Sequence, residues 1–480
     1  MKQRFLALGC IVSLAFSLLA GCQAAAGVDL GKAVENNLGT SSYQGTQALT
    51  LELTPASGLE DHPEVDLLKN VSVTLTDVKH QDATTSSAKG ELQYGGNVIP
   101  FAYFTADGQI LLQVEGAGQP LLTQAPAKAG TGEPPSLLNF DISSLDWEKL
   151  LKENASALFK FLPAPESFTA EDVKTAINGE ELALKKLHVD VTGSELAVIL
   201  QTAIKSLLAD EAGDALIRSV ITQVMGDNGN ELATSMAAVV VRRTLNSVST
   251  DINALGEFAQ YFTDSNTLKL DLYVDGEAQV RRTELELSLS GLKLMDGAVS
   301  GLKAKFAEDR WNINGTVAAD SIDGADAVKA MEPGGIARYI KVLEPDSQVY
   351  KLLVEELKVT RKNIVLPPIE EGLPGAVARP YIVDGVTLVP VRFVSENLDA
   401  EVSWKDDTQQ AIVTDIISGK TLVFTIGSKI VLVDGQEVEL EAAAALTGEY
   451  TYVPVRFIAE SFGAEVGWDP ETWTVSIIRN

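Results

Sequence analysis

Residues 389–404 read VPVRFVSENLDAEVSW, and residues 453–468 read VPVRFIAESFGAEVGW. Ten of these 16 positions are identical, and the two copies start 64 residues apart. Such similarity between two segments of one chain indicates a duplicated supersecondary unit. One unit is too small to close a hydrophobic core, so we expect the two units to bury their apolar faces against each other.

Each copy predicts a strand, a short helix and two further strands. The first strand ends near Leu388 or Tyr452, and the proline that follows is expected in the first helical turn, where its missing N–H is tolerated. Apolar residues three and four apart share one side of a helix. The residues so placed are Val391, Val394 and Leu398 in the first copy and Val455, Ile458 and Phe462 in the second.

The other identical residues of the repeat are predicted to be structural. An arginine and a glutamate stand four apart in each helix, where such a pair contributes about 0.2–0.5 kcal/mol. On the next strand the tryptophan follows a valine by two residues, so both are expected to face the shared core. Exposure of both tryptophans would contradict this placement and, with it, the expectation of a compact, inert module with a shared core. The motif residues are Pro390, Arg392, Phe393, Glu396, Trp404, Pro454, Arg456, Phe457, Glu460 and Trp468.

This doubled segment resembles the copper amine oxidase-like N-terminal domain, also called the stalk domain, over about Pro380 to Ile478. Asp399 departs from the glycine that is usual there, whereas Gly463 keeps it. In amine oxidases the module is a stalk remote from the copper and quinone cofactor, so the resemblance implies an interaction module without catalysis. The segment before Pro380 lacks a recognisable opening strand, which leaves the start of the domain open.

The residues elsewhere point to no cofactor, no metal site and no enzyme activity. The three histidines, His62, His80 and His188, lie outside the module and far apart in sequence. No Gly-x-Ser-x-Gly, phosphate-loop or His-Glu-x-x-His motif occurs. The acid-rich stretches 227–231 and 320–326 lack the spacing of a calcium loop and are interpreted as solvated turns. Trp473 falls outside the repeat pattern, which leaves sugar stacking and cross-strand packing as alternatives.

The N-terminus predicts export and lipidation. Lys2 and Arg4 precede an apolar run that is too short to remain as a membrane-spanning helix. The run ends in Leu-Ala-Gly before Cys22, which resembles the lipobox of bacterial lipoproteins. The resemblance implies cleavage before Cys22, lipidation of its thiol and attachment at the outer face of the bacterial cell membrane. An ordinary export signal is the alternative.

Composition fits an acidic extracytoplasmic protein of several domains. The chain has 480 residues and a formal net charge of −28, which argues against nucleic acid as a partner. Its only cysteines are Cys10 and Cys22, so the mature chain is expected to fold without disulfides. The candidate partners are the membrane, through the lipid on Cys22, and a cell-wall polymer or another envelope protein.

Residues 43 to about 360 predict a second, larger α+β domain. Leu49, Leu51 and Leu53 alternate with polar residues, as half-buried antiparallel strands do. Amphipathic helices follow from Ser194, a candidate N-cap, to about Phe262, and strands then return. This order is similar to that of half-barrel lipoproteins, which hold lipids or lipidated proteins in an apolar cavity. The same alternation fits a solid core.

The predicted fold class is therefore α+β: a large domain of antiparallel sheet and helices, followed by a small domain built from a duplicated β-α-β-β unit. The predicted segments are a signal peptide (1–21), a lipidated tether (22–42), the large domain (43–362), a Pro-rich linker (363–380) and the stalk domain (381–480). The first functional hypothesis is a non-enzymatic, membrane-anchored lipoprotein whose stalk domain binds the envelope or another protein. The second is a half-barrel carrier of a lipid or other hydrophobic ligand.

Overall fold

The structure is a computed structural model, and it describes residues 27–58, 63–124, 160–225, 231–366, 379–469, 471–472 and 474–479. These residues form two compact units. The first contains the described residues up to Gln109 and those from Gln124 to Ser321, and the second contains Ile110–Thr123 and the described residues from Ile322 onward. Helices and antiparallel sheets together confirm the α+β class.

Twelve strands precede residue 330 among the residues that the structure describes. They are β1 (Tyr43–Pro55), β2 (Asn70–His80), β3 (Ser86–Tyr94), β4 (Asn97–Ala106), β5 (Gln109–Val114), β6 (Leu121–Gln124), β7 (Thr169–Ile177), β8 (Glu180–Thr192), β9 (Thr267–Val274), β10 (Val280–Leu294), β11 (Val299–Trp311) and β12 (Val328–Lys329). Nine strands of the first unit lie side by side in the order β4-β3-β2-β1-β11-β10-β9-β8-β7. All eight pairings between them are antiparallel.

Helices pack against this sheet and against one another. They are α1 (Leu30–Leu38), α2 (Pro63–Leu68), α3 (Gly193–Ala209), α4 (Glu211–Met225) and α5 (Glu231–Thr250), followed by a 3₁₀ helix at Ile252–Tyr261. Leu30 of α1 and Ile199 of α3 lie in the same buried cluster as the inward side chains of β8 and β9. Helices α1 and α3 therefore close a core over β8 and β9, and the segment predicted as a tether (22–42) is instead a packed helix from Leu30 to Leu38.

Helix α3 begins earlier than predicted. Its N-cap is Thr192 and not Ser194. The backbone N–H of Glu195 donates to the Thr192 hydroxyl at 3.2 Å, and the Glu195 carboxylate accepts from the Thr192 backbone N–H at 2.8 Å. This reciprocal capping box satisfies two N–H groups that Ser194 would leave open.

The second unit contains the repeat. Its later elements are α6 (Gly335–Lys341), α7 (Gln348–Tyr350), β13 (Lys362–Val365), β14 (Tyr381–Val383), β15 (Val386–Pro390), α8 (Val391–Asn397), β16 (Ala400–Lys405), β17 (Gln410–Asp415), β18 (Thr421–Thr425), β19 (Ile430–Val433), β20 (Gln436–Glu439), β21 (Ala445–Thr447), β22 (Tyr450–Pro454), α9 (Val455–Ser461), β23 (Ala464–Asp469) and β24 (Thr474–Arg479). The strand orders are β13-β24-β23, β14-β15-β22-β21 and β16-β17-β18-β19-β20.

The predicted β-α-β-β unit is present in both copies, as β15-α8-β16-β17 and β22-α9-β23-β24. Strands β15 and β22 pair with each other, Val389 opposite Val453. One buried cluster contains the predicted helix faces of both copies: Val391, Val394, Leu398, Val455, Ile458 and Phe462. The two copies therefore share one core, as expected from their size.

The placement of the two tryptophans was predicted wrongly. Trp404 is 37% exposed and Trp468 is 45% exposed. Along β16 exposure rises on the inward side from Ala400, which is buried, through Val402 to Trp404, and β23 shows the same gradient. Each tryptophan stands near the end of an edge strand, beyond the shared core. The indole N–H of Trp404 donates to Asp406 Oδ1 at 2.5 Å.

The prolines of the repeat also lie one position earlier than predicted. Pro390 and Pro454 are the last residues of β15 and β22, and each is the N-cap of the helix that follows. Their ψ angles of 117° and 122° are extended rather than helical. The helices therefore begin at Val391 and Val455.

A strand precedes the predicted start of the stalk domain. Strand β13 pairs antiparallel with β24, and Ile364 and Leu366 belong to the shared core. The backbone N–H of Leu366 donates to the carbonyl of Val475 at 2.8 Å. The first residues assigned to the linker (363–380) are thus part of the module, and β13 completes the three-stranded sheet of the second copy.

The one departure from the repeat's glycine pattern has a physical reason. Asp399 and Gly463 both follow a helix in a left-handed backbone conformation, with φ of 60° and 74°. Glycine adopts this region freely, and aspartate is among the residues that tolerate it. Asp399 is also buried, and its carboxylate lies 2.9 Å from Lys362 Nζ of β13. The ion pair compensates for the backbone cost at this position.

Candidate functional site

The arginine, glutamate and phenylalanine of the repeat motif differ in how far they are buried. Arg392 NH1 lies 3.1 Å from Glu396 Oε1, and Arg456 Nε lies 3.8 Å from Glu460 Oε1. Both arginine side chains are more than 60% exposed, so each pair contributes little to stability. Phe457 packs edge-on against Phe424 with ring centroids 6.2 Å apart, whereas its counterpart Phe393 is 46% exposed.

The two histidines that the structure describes lie on separate strands. His80 lies on β2 and His188 on β8, where its Nδ1 lies 2.6 Å from Asp271 Oδ1. Within the described ranges, no three His, Cys, Asp or Glu side chains are arranged to hold a metal ion. No histidine falls within residues 381–480, so the module lacks the ligands of a copper site.

Several predicted positions cannot be compared with the structure. Cys22, His62 and Trp473 lie outside the described residues, as do the predicted signal peptide and residues 227–230 of the first acid-rich turn. In the second turn, Asp320 accepts a hydrogen bond from Lys79 Nζ at 2.7 Å. Among the described residues, no helix is long and apolar enough to cross a membrane.

One side of the sheet of the first unit is lined by apolar side chains, and we call it the inner face. Strand register places a row of eight apolar side chains directly opposite one another across eight strands. From β4 to β8 the row is Ile99, Leu92, Val73, Leu49, Phe306, Leu285, Leu270 and Val189. A neighbouring row carries Tyr94, Val71, Leu51, Ala304, Leu287, Leu268 and Val191 from β3 to β8.

Burial on the inner face changes across the sheet. At β8 and β9 its side chains are closed under α1 and α3, with Val189 0% and Leu270 1% exposed. Toward β1 and β2 the side chains are only half-buried. These half-buried positions are Leu49, Leu51, Leu53, Val71, Val73, Leu75, Leu92, Phe101, Leu287, Leu289, Leu302 and Phe306. The inner face therefore carries neighbouring apolar side chains that are partly accessible toward β1 and β2.

The opposite side of the same strands is polar. Arg282 Nε lies 2.5 Å from Asp309 Oδ1, and Lys305 Nζ lies 2.8 Å from Glu52 Oε1. Side chains alternate between the two sides of a strand, so these ion pairs face away from the inner face. Apolar residues of these strands are therefore concentrated on the inner face, and these charged residues lie on the opposite side.

A group of polar side chains interrupts the inner face, and we call it the polar patch: Tyr43, Gln47, Glu308 and Arg310. Glu308 Oε1 accepts from Gln47 Nε2 at 2.7 Å and from the Tyr43 hydroxyl at 3.3 Å. Glu308 Oε2 lies 2.6 Å from Arg310 NH2. The Arg310 guanidinium stacks over the Tyr43 ring, 4.6 Å from its centroid.

The polar patch is shielded from water. Only 5% of the Glu308 side chain and 18% of the Arg310 side chain are exposed. Burial, together with the nearby Glu308 carboxylate, raises the pKa of Tyr43 well above its usual range. Burial and the positive charge of Arg310 lower the pKa of His80, whose ring centroid lies 5.2 Å from that of Tyr43. His80 is therefore neutral near pH 7.

Sequence reasoning missed the polar patch, although a signal for it exists. On β11 the inward positions run Leu302, Ala304 and Phe306 and then change to Glu308 and Arg310. A carboxylate and a guanidinium are unusual at strand positions whose side chains face the core. Their pairing with residues of β1, some 260 positions away, depends on the long-range register.

Comparisons with known proteins identify a family for only part of the chain. No curated protein matches it. The crystal structure of the Mycobacterium tuberculosis lipoprotein LppX is 10% identical with a TM-score of 0.23, covering 63% of this chain and 98% of that chain. A dehydratase-cyclase domain of ambruticin biosynthesis is 13% identical with a TM-score of 0.08, covering 59% and 79%. At these TM-scores neither likeness carries an argument about fold or function.

The C-terminal module is the part for which a family match exists. The family described as copper amine oxidase N-terminal domain matches residues 375–477. This range contains both copies of the repeat, the paired strands β15 and β22, and most of the shared core. The match confirms, for this module alone, the similarity to the copper amine oxidase N-terminal domain that the repeat predicted.

Proposed function

We propose that this protein is a non-enzymatic lipoprotein, anchored through Cys22 at the outer face of the cell membrane, that carries a hydrophobic ligand on the inner face of its first unit. The half-buried apolar side chains of β1, β2, β10 and β11 support this proposal. Burying such a side chain from full exposure contributes about 1.5–3 kcal/mol, and a half-buried side chain has part of this still to gain. An acyl chain lying along these strands would supply that burial.

A solid core would show the same alternation of apolar and polar residues as a ligand-binding face. Substitutions on the two sides of β1 distinguish between these two possibilities. Leu51 is half-buried on the inner face, and Thr50 is half-buried on the opposite side of the same strand. We expect Leu51→Glu to weaken binding of the fluorescent apolar probe N-phenyl-1-naphthylamine at least about tenfold, because an unpaired polar group against an acyl-like ligand costs about 1–3 kcal/mol. Thr50→Glu, which lies opposite Lys305, is expected to bind the probe like wild type.

Fluorescence titration of the full chain gives both affinities, and thermal unfolding gives the stabilities. Organic extraction of the purified protein followed by mass spectrometry is expected to show co-purified lipid. If Leu51→Glu unfolds the protein while wild type takes up no probe, the inner face is a closed core and the carrier proposal is wrong.

A second role, for the C-terminal module, is contact with the cell wall or another envelope protein. The exposed aromatic side chains of the module, Trp404, Trp468 and Phe393, favour it, because aromatic rings are common at binding surfaces. We expect the double variant Trp404→Ala/Trp468→Ala to lose most of its co-sedimentation with purified peptidoglycan. Tyr450→Ala, at another exposed aromatic of the module, is the control. If wild type, the double variant and Tyr450→Ala all sediment equally with peptidoglycan, these tryptophans do not bind the wall.

A further inference from the structure

We propose that the polar patch binds the head group of an amphiphilic ligand, and that the ligand has a neutral head group with a hydrogen-bond acceptor, such as the ester carbonyl or hydroxyl of an acylglycerol. This inference rests on the proposed carrier function and adds the chemical class and the orientation of the ligand. It follows from the position of the patch, from a buried nitrogen that has no hydrogen-bond partner among the described residues, and from the charge balance of the patch.

The position of the patch defines an orientation. Along β1 the inward residues change from Leu51 and Leu49 to Gln47. Along β11 the change comes between Phe306 and Glu308, and along β10 between Leu285 and Thr283. Gln47 pairs with Glu308 and Glu308 with Thr283, so the three changes fall at the same level of the sheet. A ligand with its chain over Leu49 and Leu51 would place its polar end at Glu308 and Arg310.

The hydrogen bonds of the patch leave a buried nitrogen of Arg310 unsatisfied. Arg310 NH1 donates to Asn37 Oδ1 at 2.7 Å, and Arg310 NH2 lies 2.6 Å from Glu308. Arg310 Nε is buried and has no hydrogen-bond partner among the described residues. A buried donor left unpaired costs about 1–3 kcal/mol. An acceptor on the ligand would satisfy it.

Charge selects the kind of head group. The Glu308 carboxylate balances the Arg310 guanidinium, and His80 is neutral near pH 7. A phosphate or carboxylate would have to compete with Glu308 for the same guanidinium, at a site where an unbalanced negative charge is costly. A neutral acceptor meets no such opposition, so an acylglycerol fits the patch better than an anionic lipid.

The test compares head groups on one acyl chain. We expect monooleoylglycerol to displace N-phenyl-1-naphthylamine from wild type about tenfold more effectively than oleoyl-lysophosphatidylglycerol does. Glu308→Gln/Arg310→Gln is expected to lose this preference, with each displacement referred to the variant's own affinity for the probe. Arg282→Gln/Asp309→Asn, which alters the ion pair on the opposite side of the same strands, is the matched control and should retain the preference.

The outcomes separate the two proposals. If wild type binds neither the probe nor monooleoylglycerol, the carrier function is wrong. If both bind but Glu308→Gln/Arg310→Gln retains the preference, or if the anionic lipid binds more tightly, the head-group site is wrong and the carrier function stands. Circular dichroism verifies folding. Should the double variant not fold, Arg310→Lys keeps the charge beside Glu308 without the Nε donor, and it must show the same loss.

Discussion

Replacing Arg479 with methionine is expected to destabilise the second unit by about 3–5 kcal/mol. Arg479, near the end of β24, reaches from the second copy of the repeat into the first. Its NH1 and NH2 lie 2.9 Å and 3.0 Å from the two carboxylate oxygens of Asp415, and NH1 also donates to the Leu398 carbonyl at 2.7 Å. Asp415 is fully buried, so the methionine variant would leave its carboxylate without its counter-ion.

The measurement is urea unfolding followed by circular dichroism, with Arg392→Met as the matched control. Arg392 forms an exposed pair with Glu396, so its replacement is expected to cost less than about 1 kcal/mol. Equal stability losses in the two variants would show that the Arg479–Asp415 pair does not link the repeats.

The same pair predicts a pH dependence. Burial alone would raise the pKa of Asp415, but hydrogen bonds from Arg479 and Ser418 outweigh burial and hold the pKa below its usual value. A carboxyl whose pKa is lower in the folded state stabilises that state above the unfolded pKa, which is about 3.9 for Asp. This stability is lost as the pH falls through the folded pKa. The difference between wild type and Arg479→Met should therefore shrink below about pH 4.

The second large effect is expected from Leu398→Ala, at about 2–5 kcal/mol. Leu398 is fully buried in the core that both copies share. Its truncation removes apolar contacts and leaves a cavity between the copies. Trp404→Ala removes a larger side chain, yet that side chain is 37% exposed at the end of an edge strand, so we expect a loss of at most about 1 kcal/mol.

Chemical denaturation of the full-length variants compares the two effects directly. Because urea unfolding of a two-unit chain need not be a single transition, the fluorescence of the remaining tryptophans should be followed together with circular dichroism. A Trp404→Ala loss as large as that of Leu398→Ala would mean that the indole belongs to the core after all. The ratio of the two stability losses therefore tests whether Trp404 lies outside the shared core.

What could be predicted from the sequence depended on local pattern. The duplicated segment predicted the β-α-β-β unit, and the spacing of Val391, Val394 and Leu398 predicted which side of its helix is buried. Both follow from the 3.6-residue period of a helix and from neighbouring residues. The fates of Trp404 and Trp468 could not be predicted in this way. Alternation assigns a residue to one side of a strand but does not show how far the core extends along it.

By itself, then, the sequence determined the fold class and the two-copy organisation of the C-terminal module. It also determined which alternate positions are apolar in strands such as β1. Only the tertiary structure decided which strands pair, and hence that Gln47 and Glu308 meet at one level of the inner face. It also decided that β13, from before the module's expected start, completes the sheet of the second copy. The physical reason is that side-chain periodicity is set by neighbours in the chain, whereas register, closure and exposure depend on contacts between residues far apart in sequence.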